Sequence, residues 1–218
     1  MALFYLKILI VLHIGFKIGN AVHKSLPVNL ISAISLAFLF CKFSFSLQFF
    51  MFSFFAISLI SVSVVDYFHK LIPVIAPFLL FVLGLLFSFF NPILGETYFF
   101  KFLNSILGVL AGGGSLFLIS MLGEFLYKKE VMGGGDVKLM AGVGAFLGAE
   151  RVLAAIFIAS FLASIAGLIL ILFKKRPKET YISFGPFLSS ASFAVIFIPK
   201  PAQLFAMLFA WEAKILGV

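Results

Sequence analysis

Residues 152–173 read VLAAIFIASFLASIAGLILILF, without one charged side chain. A helix rises about 1.5 Å per residue and needs roughly 20 apolar residues to cross a hydrocarbon layer about 30 Å thick. This stretch therefore predicts a membrane-spanning helix. Runs of the same character fill the rest of the chain, and the breaks between them place spans near 2–22, 28–41, 45–65, 74–90, 102–127, 137–149, 152–173 and 182–198. A shorter segment, 202–217, carries Glu212 and Lys214 and lies at the interface or forms a ninth span. The expected fold class is an all-α polytopic integral membrane protein with about eight transmembrane helices, short loops and a single domain over residues 1–218.

Composition agrees with that reading. Of 218 residues, 63% are hydrophobic and 11% charged, with a mean hydropathy of +1.24. A soluble domain averages roughly 45–50% apolar and about 25% charged residues, so a soluble globular protein is excluded. A disordered chain would need the opposite composition. The first run contains Lys7, His13 and Lys17 and is not followed by a small-residue cleavage pattern, which predicts a retained helix rather than a removed signal peptide.

The net charge is +8, but the 16 Lys and Arg lie scattered at the ends of apolar runs. That distribution points to a lipid bilayer as the partner and not to nucleic acid. If spans alternate, one set of connections holds Lys24, Lys70, Lys128, Lys129, Lys138, Lys174, Lys175, Arg176 and Lys178, against Lys42, Lys101, Arg151 and Lys200 on the other. The richer set is expected in the cytoplasm, with the N-terminus outside. Cys41 is the only cysteine, so no internal disulfide or four-cysteine zinc site can form. No metal or cofactor is expected.

The chain has two aspartates, Asp66 at the end of the third span and Asp136 just before the sixth. Both fall on the basic side. A carboxylate at membrane depth costs a few kcal/mol, and one compensation is a working pair, which tertiary packing has to assemble across 70 residues of sequence. Gly133, Gly134 and Gly135 precede Asp136, and Lys138 follows. Three glycines give a backbone open to positive φ and to close approach by an extended substrate segment. A phosphate-binding loop is disfavoured, because no Lys-Ser or Lys-Thr follows the glycines and no strand precedes them. For Asp66, capping or pairing with His69 or Lys70 stands beside the catalytic reading. Gly112-Gly113-Gly114 predicts close helix packing or a kink, and Pro186 breaks the start of the eighth span. A transporter or channel relaying cations through the two aspartates is the alternative function.

The run Val131-Met132-Gly133-Gly134-Gly135-Asp136-Val137-Lys138-Leu139 resembles the glycine-x-glycine-aspartate signature of intramembrane aspartyl proteases, specifically the type IV prepilin leader peptidases. Asp66 with Leu71-Ile72-Pro73, the stretch Tyr181-Ile182-Ser183-Phe184-Gly185-Pro186-Phe187-Leu188, and Gly15 to Pro27 are similar to other segments of that family, in its order. The resemblance implies that Asp66 and Asp136 are catalytic and that 45–198 holds the catalytic helices, with 1–27 as the family's first span; Gly133, Gly134, Gly135 and Lys138 are the expected substrate contacts, with Lys138 and Lys70 alternatively favouring the ionised carboxyls or pairing with membrane phosphates. It implies prepilin or pseudopilin precursors as substrates, cut between a short basic leader and an apolar helix at the cytoplasmic face of the inner membrane. The paired Cys-x-x-Cys insert of the bifunctional enzymes is missing after Pro27, so peptidase activity is expected and N-methylation is not. Hydrolysis by such a pair needs one ionised and one protonated carboxyl. Asp136 opens a helix, whose N-terminal end attracts negative charge, and reads as the ionised member.

Overall fold

The computed structural model describes residues 2–22, 25–128, 132–174, 183–199 and 201. Regular structure among them is all helical: α1 (Ala2–Val22), α2 (Leu26–Phe43), α3 (Leu47–His69), α4 (Ile75–Phe87) with a tight turn Ser88–Phe90, α5 (Tyr98–Val109), α6 (Ser115–Tyr127), α7 (Gly134–Lys174) and α8 (Gly185–Ala194). Four described helices have the length and apolarity to cross a membrane: Leu26–Phe43, Leu47–His69, Tyr98–Tyr127 and Gly134–Phe173, with Leu9–Asn20 and Ile75–Phe90 as shorter apolar helices. The span expected at 182–198 is instead the ten-residue α8 followed by turns, because Pro186 sets its start and the chain leaves the helix after Ala194. The segment 202–217 lies outside the described residues.

Local chemistry sets the ends of α3. The Ser46 hydroxyl accepts the Phe49 N–H, and Lys70 takes a left-handed conformation with φ 54°, its N–H returning to the Asp66 carbonyl at 2.8 Å. Pro73 then prevents the helix from resuming. In Tyr98–Tyr127, the run Leu110–Gly114 widens to a π-turn, so Gly112-Gly113-Gly114 serves both of its expected roles, packing and local distortion.

The two spans predicted at 137–149 and 152–173 form one element that reverses at Gly148, where φ is 78° and ψ is 172°. Drawn straight, its 40 residues from Gly134 to Phe173 would extend about 60 Å, twice the hydrocarbon thickness. The reversal shows at Gly112. A side chain there would run into the Met140 carbonyl oxygen and also stand 2.7 Å from Val152 Cγ2, whereas a straight helix separates residues twelve apart by about 18 Å.

A break in a membrane helix frees backbone groups that lipid cannot hydrogen-bond. Here protein side chains meet them. Ser105 Oγ donates to the Ala145 carbonyl at 2.7 Å and Asn91 Nδ2 to the Phe146 carbonyl at 2.7 Å. Asn104 Oδ1 accepts the Ala149 N–H at 3.3 Å. At this same end Arg151 reaches the Ile93 and Pro199 carbonyls, and Lys42 donates to the Ile196 carbonyl. The connections 44–46, 91–97 and 148–151 thus gather at one end, opposite Asp66 and Asp136.

Helices close on one another where side chains are small. Gly15 and Gly19 of α1 meet the Ala33 and Asn29 backbone of α2, and the Gly108 and Gly144 backbones touch between α5 and α7, the small-residue packing that brings membrane helices together. Phe52 and Phe55 of α3 and Phe146 of α7 are fully buried, Phe55 and Phe146 at 5.0 Å between ring centroids. Outside, Ile75, Phe125, Phe161 and Phe173 are among many exposed apolar side chains, a surface suited to lipid.

Neighbouring glycines therefore predict opposite outcomes. Gly112→Ala, pressed on Met140, should lower the thermal midpoint in detergent by the equivalent of about 1–3 kcal/mol, whereas Gly114, with nothing within 4 Å of an added methyl, should accept alanine with no loss.

Candidate active site

Asp66 lies in the last turn of α3, only 7% exposed. Its backbone carbonyl accepts the Lys70 N–H and the Ser183 hydroxyl, the latter at 3.0 Å. Its carboxyl Oδ2 accepts the Gly185 N–H at 2.9 Å. Gly185 is the first residue of α8, and the N–H groups of a first helical turn have no partner within their own helix. Asp66 thus caps α8, from 119 residues away, so the capping reading holds in an altered form. A Cβ on residue 185 would stand 2.6 Å from Asp66 Oδ2, so only glycine admits the carboxyl this closely.

Asp136 sits in the first turn of α7, 8% exposed, its N–H bonded to the Gly133 carbonyl at 3.0 Å. Its Oδ1 is buried with no hydrogen-bond partner among the described residues. Ile72, six residues beyond Asp66, packs on Gly135, the residue before Asp136. The end of α3 and the start of α7 therefore bring the two aspartates together.

The glycine run departs from expectation. Gly134 and Gly135 already belong to α7, and none of the three takes a left-handed φ, which the described glycines adopt at Gly95 and Gly148. The apolar run after Asp136 draws them into its helix. Gly135 is used for packing: an added Cβ would meet Ile72 Cβ at 2.8 Å, so the Leu71-Ile72-Pro73 segment after α3 lies against the start of α7. Gly133 and Gly134 are exposed, Gly134 with open space around it. Lys138, also exposed, lines an apolar pocket of about 260 Å³ with Val74, Pro77, Phe78, Phe81 and Ala141.

The Gly185 amide and the Ser183 hydroxyl are the site groups that composition and spacing do not point to. Their signal in the sequence is the Phe184-Gly185-Pro186 break at a helix start. Two buried carboxyls, one oriented by an amide and the other with an oxygen unpartnered among the described residues, are groups suited to polarising water beside a peptide. Neither aspartate lies mid-helix, where a cation relay across the bilayer would want it. Among the described residues no group of three or more His, Cys, Asp or Glu is placed to hold a metal ion.

Residues 53–168, more than half of the chain, match the Type IV leader peptidase family. Curated proteins named prepilin leader peptidase/N-methyltransferase are similar to this chain. That of Xanthomonas campestris pv. campestris is 35% identical over 64% of the chain and 46% of its own length. Those of Neisseria gonorrhoeae and Pseudomonas aeruginosa are each 30% identical over 63% of the chain, covering 44% and 46% of their lengths. The chain spans just under half the length of these relatives, and no solved structure matches it. The match includes both aspartates and the helices that carry them, and the chain belongs to the type IV leader peptidase family.

Proposed function

We propose that this protein is an aspartic endopeptidase that removes the short basic leader from type IV prepilin or pseudopilin precursors, with Asp66 and Asp136 as its catalytic pair. What supports the reading is the placement of both aspartates at one end of the helices, where Ile72, just beyond α3, packs on Gly135 beside Asp136 and the Gly185 amide orients the Asp66 carboxyl. One carboxyl, ionised, takes a proton from water; the other, protonated, hydrogen-bonds the scissile carbonyl, since two adjacent like charges do not both ionise. Asp136 has the helix N-terminus in its favour as the charged member, and Asp66 has the Gly185 amide. The pair titrates as a unit and its members exchange roles through the cycle.

Exposed Gly133 and Gly134 leave room for an extended substrate backbone beside Asp136, and Lys138 stands about one turn beyond Gly134. The nine-to-four distribution of basic residues supports a cytoplasmic site, an external N-terminus and an inner-membrane, multi-pass placement. Seven crossings, with α7 counted twice, and the shorter α8 form one catalytic unit. The proposal covers the peptidase half of the relatives' double name and leaves out N-methylation, which the resemblance ties to cysteine pairs that a chain with Cys41 alone does not have.

In detergent, wild-type protein is expected to trim a leader-bearing precursor, and Asp66→Ala and Asp136→Ala each to lose about three orders of magnitude or more in rate. Cleavage that survives either substitution would overturn the assignment. Gly185→Ala should lower the thermal midpoint by the equivalent of about 1–3 kcal/mol, since its methyl displaces the Asp66 carboxyl and leaves a buried N–H unpaired, and, assayed well below that midpoint, lose about a hundredfold in kcat/KM. Unchanged kcat/KM would show that the amide contact does not orient the pair.

A further inference from the structure

A cavity of about 250 Å³ opens between α2, α3 and α8, away from the pocket beside Lys138. Its α3 wall runs from Ala56 to Val64, two residues short of Asp66, and its α8 wall from Phe193 back to Pro186, next to the Gly185 that holds the Asp66 carboxyl. Eight residues of helix cover about 12 Å. The cavity is therefore a groove roughly two turns long with one end at the paired aspartates.

We infer that this groove receives the apolar transmembrane helix of the precursor, seating it so that the peptide bond at its leader end meets Asp66 and Asp136; the inference rests on the proposed peptidase reading. Continuity with the carboxyl pair is the first support, since a lipid chain or a second copy of the protein has no reason to end there. The second is the lining, apolar but interrupted by small side chains such as Ala56, Ser63 and Ser189, the kind of surface on which two helices approach closely in lipid. The third is Ser189 itself. It is 5% exposed, its Oγ has no hydrogen-bond partner among the described residues, and it lies one turn from Gly185. A helix hides its peptide bonds, so cleavage requires the end of the substrate helix to unwind. Unwinding at membrane depth leaves N–H and C=O groups in need of partners, and an unused hydroxyl about one turn in from the catalytic end of the groove supplies one.

The test is a cross-linking scan. Ile60→Cys and Ser190→Cys, each in a Cys41→Ser, Asp136→Asn background that binds without cutting, are reconstituted in vesicles of phosphatidylethanolamine and phosphatidylglycerol. A precursor carrying one cysteine, stepped along its apolar helix, is added and oxidised with copper phenanthroline; Phe161→Cys, exposed on the second arm of α7, is the control. Enzyme–precursor disulfides are expected at both groove positions, several-fold above the control and recurring every three to four substrate residues, as a seated helix requires. Groove cysteines that link no better than the control, that link without periodicity, or that join two copies of the enzyme would overturn the inference. Cleavage of the same precursor by wild-type protein separates the two levels. If wild type cuts and the groove does not link, the groove inference falls alone; if wild type cuts nothing, the peptidase reading falls and the groove inference with it.

Discussion

The fold depends on reversing a very apolar helix inside a membrane without leaving its backbone unpaired. Gly148 supplies the turn, with a φ that other residues rarely adopt, and Asn91, Asn104 and Ser105 supply the hydrogen bonds that the interrupted helix loses. Asn91 lies in the connection from α4 to α5, and Asn104 and Ser105 lie midway along α5. The turn of α7 is thus held by the preceding helices, and the glycine contacts at residues 108, 112 and 144 let α5 sit close enough to reach it. Had α7 run straight, its length would exceed any single crossing. Because it folds back, its first arm can lie beside α4 and α5 with Asp136 at the end where α3 finishes.

At that end a structural bond and the proposed chemistry use the same group. The Asp66 carboxyl caps α8 through Gly185, so the helix start that the aspartate satisfies is also what fixes the aspartate's orientation. The other end of α8 is tied down as well, since Lys42 and Arg151 hold carbonyls of the turns that follow it. A short helix pinned at both ends is a stiff support for the carboxyl on which the proposed chemistry relies.

Much of the fold is legible in the sequence. Apolar runs locate the helices, and the two lone aspartates beside helix breakers single out the end of α3 and the start of α7 as the candidate site. The glycine triplet at 133–135 was harder: composition allows a loose loop, but the apolar run that follows extends its helix back through Gly134, and Gly135 became a contact for Ile72. The fold-back at Gly148 was seen only as a gap between spans around Glu150 and Arg151, because one glycine among many carries no periodic signal. The capping of α8 by Asp66 was not legible from spacing, since a hydrogen bond across 119 residues is decided by packing alone.

The account stands on α3 and α7 delivering their aspartates to one place. Its most direct test places Asp66→Cys and Asp136→Cys together in a Cys41→Ser background and treats the folded protein with a short bifunctional thiol reagent, beside an Asp66→Cys, Lys101→Cys control that spans the two ends. An intramolecular link in the aspartate-site pair and none in the control is the predicted result. Two reactive but unlinked thiols at positions 66 and 136, or a link in the control, would contradict it.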